Sequence, residues 1–326
     1  MKTEELYKSC TQCPRNCHVD RTQSTGFCGE TSTLRIAIAC LHFGEEPVLT
    51  VENGSGTIFL SGCTLRCSFC QNYQISQQGM GKHIDVDEFA RICLELEKNG
   101  AENINIVTGS HHIPKIAEGL KAAKEMGLSI PVAWNSSAYE SIESLELLKG
   151  LVDIWLPDFK TMNPIMSREL FQAEDYPQVA KKAIRWMMEN FPLKLTEKNG
   201  REKILSGVII RHLVLPGRMD DSLMALEWLK KHADSRAIIS LMSQYTPVPF
   251  KGSEKELNWR KKSLCAFQNR LMSSDEDRQI RDLIDNYSFE YLFYQDLSDD
   301  TSWLPDFSRR QTFSNALSKT IWHHSD

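Results

Sequence analysis

The sequence predicts an α/β fold, a partial barrel of six β/α units preceded by a small cysteine-rich lobe. Three observations carry this. Short apolar runs alternate with amphipathic helical stretches from residue 57 onward, the signature of parallel strands joined by helical crossovers. Polar residues with chemical capacity fall just after those runs, where such barrels place their chemistry. Seven of the ten cysteines lie in two N-terminal clusters.

The elements follow in order. Residues 1–33 are polar and turn-rich, with Pro14, Gly26 and Gly29. They read as a lobe held by metal rather than by a hydrophobic core. Leu34 to Ala39 is a lead-in strand, and Gly44 to Gly56 a loop. Residues 1–50 form the lobe with its lead-in strand, and residues 51–326 the barrel with a C-terminal extension. The barrel strands are Thr57–Leu60, Asn103–Val107, Ile130–Trp134, Val152–Leu156, Gly207–Leu215 and Ala237–Leu241. Asp85–Lys98 is a helix, with Asp85 as cap, Glu88 three residues on and Gly100 past the end. Pro114 opens a helix that Gly127 closes. Ser141–Lys149, Pro177–Asn190 and Ser222–His232 are further helices. Asp275–Asn286 and Glu290–Tyr294 add a late helix and strand. The polar stretches 192–203 and 246–262 read as surface loops.

Composition narrows the function. Hydrophobic residues make up 41% and charged residues 25% of 326 residues, which is globular rather than disordered. The apolar run near Leu205–Leu215 is broken by Arg211 and His212, so no segment spans a bilayer. Net charge is −5, which gives no general attraction for nucleic acid or an anionic membrane. An RNA-modifying role lacks a basic, aromatic-rich appendage. The expected compartment is a reducing cytoplasm, where clustered cysteines bind metal rather than pair.

Cys63, Cys67 and Cys70 form C-x3-C-x2-C. Three thiolates on one short loop suit an iron–sulfur cluster or a zinc ion. A [4Fe–4S] cluster commonly takes four cysteines, so three leave one iron with a free coordination position. Zinc held by three thiolates and a water is the other reading. Cys10, Cys13, Cys17 and Cys28 form C-x2-C-x3-C-x10-C, a second metal site for zinc or an iron–sulfur cluster. Cys40, Cys93 and Cys265 read as packing residues.

The segment Ser61 to Tyr73 resembles the cluster loop of radical S-adenosylmethionine (radical SAM) enzymes. It is most similar to the pyruvate formate-lyase-activating-enzyme-like, PflX-type group. Cys13-Pro14-Arg15-Asn16-Cys17 with Asp20-Arg21, His42 to Pro47, Val107-Thr108, Trp134 to Glu140, Leu156 to Lys160, Gln295-Asp296 and Leu304 to Phe307 extend the resemblance. It implies a partial (β/α)6 TIM-like radical SAM barrel. Cys63, Cys67 and Cys70 would bind three irons, and the amino and carboxylate groups of S-adenosylmethionine would chelate the fourth. Reductive cleavage would then give methionine and a 5′-deoxyadenosyl radical that abstracts hydrogen.

The resemblance places Phe69 near the adenine, Asn135 and Ser136 near the cofactor, and Asp158 and Lys160 near its ribose and carboxylate. The place of the Gly-Gly-Glu stretch of related activating enzymes reads Thr108-Gly109-Ser110-His111-His112 here, without the glutamate. Thr108 and its neighbours would take the ammonium contact through hydroxyls and carbonyls. His111 and His112 are adjacent and do not face one metal together; one of them could serve proton transfer. Arg211 on an apolar strand requires a carboxylate partner, from the cofactor or the protein. The implied partners are a low-potential flavodoxin or ferredoxin and a glycyl-radical enzyme activated on a glycine. A non-catalytic iron–sulfur electron carrier or metal-stabilised scaffold is the contrasting reading; it would bind a cluster without cleaving S-adenosylmethionine.

Overall fold

The computed structural model describes residues 3–298, 301 and 303–326. Met1 and Lys2, which open the expected polar lobe, lie outside the described residues. Eleven strands form one mixed sheet: β1 Leu34–His42, β2 Ser55–Leu60, β3 Lys82–Ile84, β4 Ile104–Val107, β5 Val132–Ser136, β6 Ile154–Pro157, β7 Lys194–Lys198, β8 Arg201–Leu213, β9 Ile238–Met242, β10 Leu292–Gln295 and β11 Ser318–His323. Their order is β10-β9-β8-β6-β5-β4-β2-β1-β11, with β3 on β1 and β7 on β8. From β2 to β10 every neighbour is parallel. The six predicted barrel strands are present, and the late strand adds a seventh. β1 and β11 extend this partial barrel antiparallel.

The helices are α1 Pro47–Thr50, α2 Tyr73–Ser76, α3 Val86–Lys98, α4 Ile113–Glu125, α5 Ile142–Glu146, α6 Pro164–Phe171, α7 Tyr176–Asn190, α8 Met219–His232, α9 Glu254–Ser263 and α10 Ser274–Tyr287. Asp85 caps α3 as expected, accepting from the Glu88 amide at 2.7 Å. The strands are apolar on both faces because both are covered. One face, with Ile104, Ile106, Trp134 and Trp155, packs against Phe89, Leu120 and Ile184 of the helices. The other carries Ala133, Ile154, Leu156, Ile209 and Ile238 over Val48 and Leu49.

Three expected loops hold regular structure. Residues 194–213 form a β7–β8 hairpin. Its turn is Asn199-Gly200, with φ of +53° and +76°, the left-handed pair that a tight hairpin demands. Within 246–262, α9 begins at a capping box formed by Ser253 and Glu256. The 44–56 loop also holds α1, started by Pro47. Cys40 and Cys93 are buried as expected, whereas Cys265 is exposed, because it sits on a short turn after α9. Among the described residues no helix is long and apolar enough to cross a membrane.

Candidate active site at the strand ends

The loop after β2 carries Cys63, Cys67 and Cys70. It can turn sharply because Gly62 takes φ +82°. A Cβ there would lie 2.3 Å from Glu30 Cγ and 3.0 Å from both the Cys28 carbonyl oxygen and His111 Nε2. Cys63 Sγ accepts from the Leu65 and Arg66 amides at 3.4 Å each. Cys70 Sγ stands 3.4 Å from Ser76 Oγ. The loop is pinned from outside: Gln77 donates to the Cys67 carbonyl at 2.9 Å, and Arg260 to the Ser68 carbonyl at 2.7 Å.

Burial pushes the Cys67 thiol upward, and the Lys160 ammonium opposes it. Burial also raises the Cys70 thiol, against the Ser76 hydrogen bond. Each sulfur lies within electrostatic reach of its neighbours on the loop. Among the described residues, no three His, Cys, Asp or Glu side chains are gathered tightly around a single-ion position. This applies to both cysteine sets.

Beside the loop, four of the predicted residues join one polar network. Lys160 Nζ donates to Asp158 Oδ2 at 2.7 Å, and Arg211 Nε to Asp158 Oδ1 at 2.9 Å. Arg211 also donates to Asn135 Oδ1, and to Glu45 Oε2 at 3.4 Å. Burial alone would raise Asp158, but Arg211 and Lys160 outweigh it and hold the carboxyl below its ordinary range. Burial likewise disfavours the Lys160 charge, and Asp158 and Cys67 more than restore it. Tyr176 Oη fixes the strand end, donating to the Asp158 carbonyl at 2.7 Å and accepting from the Lys160 amide at 2.9 Å. Arg211 thus finds the carboxylate partner its sequence position demanded.

The other candidates stand nearby but outside this network. Thr108 sits at the β4 end with φ +61°, its amide bonded to the Asn135 carbonyl at 2.9 Å. Ser136 Oγ accepts from the Ala138 amide at 3.2 Å. Phe69 packs edge-on against Phe171, Tyr245 and Phe267 at ring separations of 6.0–6.3 Å. His111 Nε2 pairs with the Ser61 carbonyl at 2.8 Å. Burial pulls His111 down to about 3, and His112 well below its ordinary value. Burial thus favours the neutral form of both near pH 7, and His111 Nδ1 and both ring nitrogens of His112 are buried without a hydrogen-bond partner.

Three acids were not singled out from sequence. Glu45 and Glu46 reach the network from the end of β1, and burial raises both against the pull of Arg211. Glu140 accepts from Ser110 Oγ at 2.5 Å and Trp134 Nε1 at 3.4 Å, while its Oε2 has no partner. Glu140 therefore brings a carboxylate to the β4 end that lacks the Gly-Gly-Glu acid. Glu46 Oε2 is also unpartnered. Burial favours the neutral acid at Glu45 and Glu46, so Asp158 is the acid that Arg211 and Lys160 hold ionised.

The radical SAM superfamily model matches residues 57–229, more than half of the chain. An uncharacterized protein of Methanocaldococcus jannaschii is 30% identical over 298 residues, covering 89% of this chain and 78% of its own. Among solved structures, Streptococcus suis SuiB bound to its precursor peptide SuiA is 14% identical with TM-score 0.49, over 73% of this chain and 47% of that one. A domain of pyruvate-formate lyase-activating enzyme from Bacteroides vulgatus is 14% identical with TM-score 0.36, over 57% and 92%. This chain therefore spans under half the length of the SuiB chain. The family match runs from the strand that presents Cys63, through the Asp158–Lys160 strand end, to the helix after Arg211. The chain belongs to the radical SAM superfamily, and membership implies a [4Fe–4S] cluster and S-adenosylmethionine.

Proposed function

We propose that this protein is a radical SAM oxidoreductase of the pyruvate formate-lyase-activating-enzyme-like, PflX-type group. Its proposed act is hydrogen abstraction, with a glycine of a glycyl-radical enzyme as target. When bound, the cluster and S-adenosylmethionine supply one-electron sulfonium cleavage and hydrogen abstraction. The observation that carries the reading is the joint placement of Cys63, Cys67 and Cys70 beside the Lys160–Asp158–Arg211 network.

The chain's own groups divide the work. Cys63, Cys67 and Cys70 would hold the cluster as thiolates, and the Leu65 and Arg66 amides that donate to Cys63 Sγ fix that sulfur on its loop. Lys160 offers a charge-assisted bond to the cofactor carboxylate. Asp158, Asn135 and Ser136 offer acceptors to the ribose and ammonium, joined by Thr108. Arg211 holds Asp158 and Asn135 in position. Phe69, just before Cys70, would take the adenine against its ring. A low-potential flavodoxin or ferredoxin supplies the electron.

The test is anaerobic incubation of the reduced, reconstituted protein with S-adenosylmethionine. 5′-Deoxyadenosine and methionine are expected, and C63S, C67S or C70S should abolish both. An intact cluster with no product would leave an electron carrier instead. Co-purification from anaerobic cells with a glycyl-radical protein, and a glycyl radical signal on mixing, tests the substrate. Cofactor cleavage without that signal would point to another substrate.

A further inference from the structure

The four N-terminal cysteines lie ahead of residues 57–229, so the family match does not account for them. Cys10, Cys13 and Cys28 are buried and Cys17 is partly so. The backbone folds them together. The Cys10 amide donates to the Val19 carbonyl and the His18 amide to the Cys10 carbonyl, both at 3.0 Å. The Asn16 amide closes a tight turn on the Cys13 carbonyl at 3.1 Å. On the second arm, a Cβ at Gly26 would stand 3.4 Å from Cys17 Sγ and 3.5 Å from Cys28 Sγ. Those two sulfurs therefore flank Gly26. Cys13 lies within electrostatic reach of the other three.

Arg21 stands beside Cys10 and Cys28 and is fully buried. Its guanidinium donates to the Glu30, Thr31 and His111 carbonyls at 3.0, 2.6 and 2.5 Å, and Nη1 lies 3.8 Å from Cys10 Sγ. Among the described residues no carboxylate lies within ion-pair distance of it. Carbonyl dipoles solvate a buried cation, but its charge still needs a counter-charge. The ionisable groups facing Arg21 are Cys28, Tyr7 and Cys10. Burial pushes the Tyr7 phenol upward, so it stays neutral. The thiols remain as the anion source.

We propose that Cys10, Cys13, Cys17 and Cys28 form a second metal centre, a tetrathiolate site whose negative charge Arg21 balances, and that this centre braces the loop bearing Cys63. Four thiolates suit an iron–sulfur cluster or zinc; among the described residues no three of them surround a single-ion position, so zinc requires the four sulfurs to close further. The bracing contacts are direct. The Cys63 amide donates to the Cys28 carbonyl at 3.2 Å. Arg15 Nε donates to the Thr64 carbonyl at 2.8 Å and Nη2 to the Phe171 carbonyl at 2.6 Å. Arg21 reaches the β4 end through the His111 carbonyl. Metal at the four cysteines would thus order the segment that holds both strand-end loops.

The probe is the full chain carrying C63S, C67S and C70S, reconstituted anaerobically and assayed for iron, sulfide and zinc. Retained metal that disappears when C13S and C17S are added is expected. Iron with sulfide and broad visible absorption identifies a cluster; zinc in colourless protein identifies zinc; either supports the site. A triad-less chain holding neither metal overturns it. If the triad-less chain does not fold, the wild type decides. Metal beyond that of a single [4Fe–4S] cluster is expected, and its absence overturns the site. For the bracing, C13S/C17S with the triad intact should lose cluster absorbance to a chelator at least several-fold faster than wild type. An unchanged rate refutes the bracing. None of these readouts depends on cleavage of S-adenosylmethionine, so they stand apart from the proposed activity.

Discussion

Replacing Asp158 with Asn tests whether the strand-end network is a coupled charge cluster. The carboxylate holds Lys160 at 2.7 Å and Arg211 at 2.9 Å, and the three side chains are 15–24% exposed. Breaking a buried pair by removing one partner costs about 3–5 kcal/mol, whereas an exposed pair contributes about 0–1 kcal/mol. Partial exposure selects the low end of the buried range, about 3 kcal/mol. Arg211 also keeps Glu45 at 3.4 Å, which limits the loss. With about 2.1 cal/mol/K of unfolding entropy per residue over 326 residues, that is a fall in Tm of roughly 4 °C.

R211M should cost more than D158N, because it leaves Glu45, Glu46 and Asp158 facing Lys160 alone. The assay is thermal unfolding at pH 7 of wild type, D158N, R211M and the double variant, followed by circular dichroism. A coupling energy between the two singles of about 2 kcal/mol is expected for contacting groups. A D158N chain within about 1 kcal/mol of wild type, or a double variant equal to the sum of the singles, would refute a coupled cluster.

Two further outcomes follow from other parts of the fold. Burial, reinforced by Arg211, pulls His42 down to about 4 from its ordinary 6.5. The unfolded chain therefore takes up this proton first, so the contribution of a neutral His42 is complete above pH 6.5 and lost as pH falls toward 4. The loss is about 3 kcal/mol at 1.36 kcal/mol per pKa unit; wild type should lose that much more than H42N between pH 7 and 4 in urea titrations, and parallel curves would count against it. Ser273 caps α10, accepting from the Glu276 amide at 3.3 Å while Glu276 reaches back to the Ser273 amide at 2.8 Å. S273A should cost about 1 kcal/mol in the same titrations, and a silent substitution would show that α10 is held by its packing alone.

The barrel was legible because its strands are short apolar runs between capped helices, and those signals are local. Asp85, Ser141 and Pro114 mark helix starts in the sequence and in the structure alike. Strand ends moved by a few residues, since pairing continues wherever a neighbour offers partners. β8 shows this: the predicted Gly207 start is the point where the strand joins β6, and the chain is already extended from Arg201 in its hairpin with β7. The hairpin's polar strands hid it, although Asn199-Gly200 announced the turn. α9 was hidden for the same reason, because its face is mostly exposed and only the Ser253–Glu256 box marks it.

At the candidate site, the cysteine spacing and the Asp158–Lys160 pair were readable because neighbouring residues make them. Glu140 was not readable as a site group. It meets Ser110 across thirty residues of chain, and no spacing rule encodes a contact made by two separate strand ends. The same holds for Glu46, whose role arises only when β1 lies against the barrel. Arg211 was readable by cost alone: a cation on an apolar strand had to have a partner, though sequence could not say which.

The pairing of β1 has a consequence for synthesis on the ribosome. β3 shields Leu34 to Ile36 on one side of that strand, but Ile38 to His42 wait for β11. At about 5–20 residues per second, a nascent chain holds that flank unpaired for on the order of tens of seconds. During this interval the strand is a template for pairing with other chains. Slow translation or truncation before Ser318 should therefore drive the protein toward aggregates, and chaperone capture of the emerging chain should matter more here than for a barrel whose first strand finds its neighbours early.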